Sequence, residues 1–222
     1  MREGVDSTVH EVDRDAGEYK LDRPFSNLLS TTRDVLFSPR RFFDGLPPDG
    51  SLSAPVIYFL ICSAVTAVIN TVATVTILAV PVGIALATSS IEAGMLVRIL
   101  AVFMFASLVA LPMLLVAGFF VSVPIQHAFI RLVAGRDQEG LRATLRVSCY
   151  SVGAPVAVAW IPLADIPAVF YCFYLHATGL KRVHRISTGR SLWATLMLVT
   201  LLLVLAVALV VYDYALIREA LK

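Results

Sequence analysis

From Gly50 to Ile91 the chain carries no Asp, Glu, Lys, Arg or His. That run is about twice the ~20 residues a helix needs to cross hydrocarbon. Residues 99 to 126 repeat the pattern, residues 147 to 180 are interrupted only by Asp165 and His176, and Ser191 to Tyr212 is again uncharged. The chain is 58% hydrophobic and 15% charged, with a mean hydropathy of +0.81. Such a balance does not belong to a soluble domain. The expected fold class is an all-α integral membrane protein with about five transmembrane helices.

Orientation follows from the basic residues, which short loops retain in the cytoplasm. They gather at Arg33, Arg40 and Arg41, at residues 131 to 146 (Arg131, Arg136, Arg142, Arg146), and at residues 181 to 190 (Lys181, Arg182, Arg185, Arg190). If all three segments are cytoplasmic, the chain crosses an even number of times between each. Helices near 54 to 86 and 93 to 133 supply the first two crossings, with an outside turn near 88 to 92.

The third and fourth form a short hairpin with its apex at IPLADIP, residues 161 to 167, where Pro162, Asp165 and Pro167 break helical bonding. Arms of ~15 residues reach only ~22 Å, short of the ~30 Å hydrocarbon layer, so the pair is re-entrant or makes a thinned crossing. A fifth helix near 192 to 214 leaves the C-terminus outside. Residues 217 to 222 form a short tail, and residues 50 to 216 constitute the transmembrane domain.

The first twenty residues are charged and lack an apolar core, so no cleaved signal peptide is expected and the N-terminus stays cytoplasmic. Residues 1 to 23 are acidic and aperiodic, the composition of a disordered tail. Within residues 24 to 49, Phe25, Leu28, Leu29, Val35 and Leu36 recur at helical spacing, an amphipathic stripe. Ser38 and Pro39 then read as the N-cap and first position of a short helix. Arg40, Arg41, Phe42 and Phe43 follow, a pattern suited to the headgroup layer, with rings buried in lipid and cations on anionic headgroups. The plainer alternative is a juxtamembrane linker packed on the bundle.

No signature of a serine hydrolase, zinc protease, phosphate loop or dinucleotide fold occurs, so the chain is expected not to be an enzyme and to need no cofactor or metal. Cys62, Cys149 and Cys172 stand singly in apolar runs and read as small buried residues. The basic clusters lack the aromatic interleaving of a nucleic-acid surface. By depth, Gln126, His127, Tyr150, Ser151, His176 and His184 converge near the cytoplasmic face. They are either interhelical hydrogen bonds, worth ~0.6 kcal/mol each, or a polar pocket for a lipid headgroup or a partner's peptide.

The segments QHAFIRLVAG, TLRVSCYSVGAP, WIP and GLKRVHRISTGR, in this order between His127 and Arg190 with slight overlap before it, resemble the Yip family of multipass membrane proteins, named for interacting with Ypt/Rab GTPases. FSPRRFFDGL upstream is similar to that family's juxtamembrane helix, and the likeness extends over roughly residues 38 to 215. The family's eukaryotic members carry a D-L-x-G-P motif where this chain reads DGSLSAP, so the resemblance implies the prokaryotic branch and a plasma-membrane location, without Rab partners. It also implies five membrane helices with a cytoplasmic N-terminus. The expected role is non-enzymatic membrane organisation or adaptation, in contact with the lipid bilayer and a protein partner on the cytoplasmic face. A small transporter or lipid-translocating protein is the alternative.

Overall fold

The computed structural model describes Tyr19 and residues 24–88, 111–135, 138–161 and 163–220, together with isolated positions at 95, 99, 102, 108 and 109. Among the described residues there are seven longer helices and no strand: α1 (Pro24–Phe37), α2 (Pro39–Asp44), α3 (Ser53–Thr88), α4 (Leu111–Ala134), α5 (Leu141–Val156), α6 (Asp165–Val183) and α7 (Thr188–Ala220).

Three stretches are long and apolar enough to span a bilayer: Ser53–Ile77 in α3, Pro112–Ala134 in α4 and Thr188–Leu205 in α7. They turn large apolar side chains outward, including Leu114, Leu115 and Leu203 at 70%, 65% and 63% exposure. In lipid such surface has no reason to hide. The expected helix 93 to 133 is described as α4 from Leu111, and the outside turn near 88 to 92 lies almost wholly outside the described residues. The last helix is longer than expected, running to Ala220 and absorbing most of the tail assigned to 217 to 222.

α5 and α6 form the short hairpin anticipated from the sequence, with 16 and 19 residues. At 1.5 Å per residue these arms reach ~24 and ~28 Å. Leu163 turns the chain with a positive φ of 67°. The apex carries outward-facing apolar side chains, Trp160, Ile161, Leu163 and Ile166. Asp165 opens α6, Pro167 lies exposed in its first turn, and Pro162 is outside the described residues.

The fold is organised around α5, which touches α1, α3, α4 and α6. Eleven of its 16 residues are buried. Small residues let the neighbours approach. A Cβ on Gly153 would stand 2.9 Å from the Tyr58 ring of α3, and one on Gly179 of α6 would stand 2.6 Å from Val147 and 3.0 Å from Phe43. Hydroxyls fasten the contacts: Thr66 donates to the Val156 carbonyl at 2.7 Å, Tyr171 to Leu36, and Ser191 to Ala177.

Ser38 and Pro39 occupy the N-cap and first position of α2, as their order predicts, although the Ser38 side chain makes no capping bond. Of the expected disordered tail, Tyr19 is described, and there it is 1% exposed and faces Tyr58 with ring centroids 5.6 Å apart. The rest of residues 1 to 23 lies outside the described residues.

The close approach at Gly179 is testable. A methyl group there overpacks the α2–α5–α6 junction by about 1–3 kcal/mol, which lowers the melting temperature of the detergent-extracted protein by about 5 °C. Gly118→Ala in α4, where a Cβ meets nothing within 4 Å, does not lower it. Equal melting curves for Gly179→Ala and the native chain would show that this junction is not tight.

Candidate functional site

α5 is less apolar than the three candidate spans and α6, and its polar residues follow a rule. Thr144, Ser148 and Ser151 recur at i, i+4 and i+7, so they share one face of the helix. Thr144 is fully buried, and its hydroxyl lies 2.9 Å from His127 Nδ1 of α4 and 3.1 Å from His184 Nε2 in the turn after α6. One hydroxyl can donate to one ring and accept from the other, so a single threonine joins three segments. Two turns along, the Ser151 hydroxyl meets His176 Nδ1 at 2.9 Å.

Next to His176 sits a cavity of about 160 Å³ with mostly apolar walls, into which Ser122, Gln126, Ser148, His176 and Thr195 bring polar groups. Gln126 is 0% exposed. Its two amide atoms, the Ser148 hydroxyl and His176 Nε2 find no hydrogen-bond partner among the described residues. At ~30 Å³ per water the volume accommodates several.

Of the six residues expected to converge, five therefore line one seam: Gln126, His127, Ser151, His176 and His184. Tyr150 does not. It is fully buried on another face of α5, where its ring centroid lies 4.9 Å from Phe42 and 5.2 Å from Tyr58. Tyr58 in turn bonds Thr32 of α1 at 2.9 Å.

Phe42 and Phe43, expected to lie in lipid, are instead 6% and 1% exposed. An amphipathic stripe records only that one face is apolar; here that face covers α5 and α6 rather than acyl chains. Arg40 and Arg41 remain exposed. α2 is tied at its other end by one guanidinium nitrogen of Arg182, which donates to both carboxylate oxygens of Asp44 at 2.8 and 3.0 Å.

Sequence reasoning missed Arg146, which it counted among the loop cations. The side chain is 0% exposed and donates to the Ser51 carbonyl at the entrance to α3. Gly50 is required beside it, because a Cβ there would collide with the guanidinium. Thr144 was quoted only as part of a motif; its i, i+4, i+7 relation to Ser148 and Ser151 was the available signal.

The bonds of the seam join α4, α5, α6 and the turn after α6. Ser151 and His176 are the pair that most resembles a nucleophile and its base, yet they are 0% and 7% exposed, and the other ring nitrogen meets no carboxylate among the described residues. No group of three metal-ligating side chains occurs among the described residues. The same contacts bring the three basic segments to one end of the bundle, since Arg182 meets Asp44 and Thr144 meets both His127 and His184.

His184 makes this end acid-sensitive. Burial, reinforced by the neighbouring His127, pushes its pKa down from 6.5 to about 4. The unfolded chain thus binds a proton at a higher pH than the folded one. Stability from the neutral ring is complete above about pH 6.5 and is lost as pH falls towards 4, with a slope approaching about 1.4 kcal/mol per unit. Melting temperatures between pH 7 and 5 fall more steeply for the native chain than for His184→Gln; parallel curves would exclude this assignment.

The chain matches the family model of the Yip1 domain over residues 33–209. Neither a curated protein nor a solved structure matches it. The matched region takes in the last residues of α1 from 33 to 37, all of α2 to α6 and α7 down to residue 209, and with them every residue of the polar seam. This membrane protein, with its buried α5 and its three apolar spans, belongs to the Yip1 domain family.

Proposed function

We propose that the chain is a non-enzymatic membrane-organising or adaptor protein of a prokaryotic plasma membrane. It crosses the bilayer five times from a cytoplasmic N-terminus, and its basic end meets a partner on the cytoplasmic face. The observation that carries this reading is that most of the polar seam is spent on bonds between helices: Thr144 bonds both His127 and His184, and Ser151 bonds His176, which leaves Gln126, Ser148 and the second His176 nitrogen a cavity of only about 160 Å³. Side chains spent on one another hold helices together and offer little to a travelling solute.

What faces outward at the same end is cationic. Arg33, Arg40, Arg41, Arg131, Arg142, Arg185 and Arg190 are all exposed. Such a surface suits the anionic inner leaflet and acidic segments of other proteins. With all three basic segments at one end, the charge rule puts that end in the cytoplasm.

Lipid translocation, the competing role, would need a polar path along α5 and α6. Reporter fusions at Glu92, Gly140, Asp165, Gly189 and Lys222 are expected to read outside, inside, outside, inside and outside. In vesicles, the purified protein is expected to leave the exchange of a labelled phospholipid between leaflets at the protein-free rate. Fusions at Gly140 and Gly189 on opposite sides would refute the topology, and accelerated exchange would refute the adaptor role.

A further inference from the structure

α6 and α7, with Arg40 of α2, border a cleft of about 720 Å³ open to the surface. Its walls are apolar. Phe170, Phe173, Leu192 and Leu196 line it while remaining 70%, 37%, 50% and 45% exposed. Along α6 the lining runs from Phe170 to Arg182 and along α7 from Thr188 to Val199. Each covers ~16 to ~18 Å of helix, a little over half of a ~30 Å hydrocarbon layer. The cleft is therefore one leaflet deep.

Its mouth differs from its walls. Arg40 of α2, with Lys181 and Arg182 of α6, closes the end nearest the basic loops. Arg182 is engaged by Asp44 at 2.8 Å, whereas Arg40 and Lys181 have no acidic partner among the described residues. Thr178 and Thr188 add hydroxyls at the same level. An apolar trough one leaflet long that ends in two cations with no acidic partner among the described residues is complementary to one class of molecule, an anionic amphiphile with its charge at the membrane surface.

We propose that the α6–α7 cleft binds one anionic phospholipid, its phosphate held by Arg40 and Lys181 and an acyl chain lying along Phe173 and Leu196. The site is independent of the adaptor reading, because it requires neither a protein partner nor the closed polar seam. A second copy of the chain fits less well, since an apolar helix seated there would leave both cations facing hydrocarbon.

The test is native mass spectrometry of the full-length, delipidated protein in detergent, offered phosphatidylglycerol and phosphatidylcholine at equal concentration. One phosphatidylglycerol is expected to be retained in at least about tenfold preference. Arg40→Gln with Lys181→Gln abolishes the preference, while Arg33→Gln, outside the cleft, preserves it. Leu196→Trp, which fills the trough, reduces the occupancy of both lipids without altering the helical circular dichroism. Equal retention of the two lipids by the native protein would overturn the proposal, as would a preference that survives the double substitution. Full displacement by millimolar inorganic phosphate would mark a site for phosphate alone, and a dimer that excludes lipid would assign the cleft to a second copy.

Discussion

Arg146 is a cationic side chain with no exposed surface, set one turn and a half into a helix that is itself enclosed. Removing such a group from water costs several kcal/mol unless hydrogen bonds replace the lost solvent. The Ser51 carbonyl supplies one, at the entrance to α3. That bond fixes where the first long apolar helix begins relative to α5. Together with the bonds of Thr144 to His127 and His184, it satisfies polar groups on a helix with eleven buried residues.

From that arrangement the rest of the bundle follows. α3, α4 and α7 are apolar enough to span a membrane and expose side chains that lipid tolerates. α5 is not apolar enough to face lipid, and is covered by α1, α3, α4 and α6. The short α1–α2 unit thus becomes part of the core. Phe42 and Phe43 close over α5, and the Arg182–Asp44 pair locks α2 against α6. The side-chain bonds that hold this end together gather at the cationic surface, so assembly of the core and presentation of that surface are one event.

Much of this was legible from the residues. Uncharged runs marked the three spans, because length and hydropathy are one-dimensional properties. Ser38 and Pro39 marked the start of α2, because capping is local. The hairpin followed from charge parity and prolines, and its arms are as short as the residue count implied. What stayed hidden depends on partners distant in the chain. His127 and His184 are joined through Thr144 across separations of 17 and 40 residues, which no periodicity records. Phe42 and Phe43 had the pattern of a lipid-facing stripe, and the same pattern serves a stripe facing protein. Arg146 looked like a loop cation, since a charge beside a glycine-containing loop carries no mark of its burial.

The central claim is that α5 is enclosed by protein while the helices around it meet lipid. Its most direct test is labelling of the reconstituted protein with a photoactivated carbene reagent dissolved in the bilayer, with the modified residues mapped by mass spectrometry. The account predicts insertion at outward positions such as Leu114, Leu115 and Leu203, and none from Val147 to Pro155 except at the half-buried Val152. Labelling of Val147, Cys149 and Ala154 to the same extent as Leu114 would contradict it.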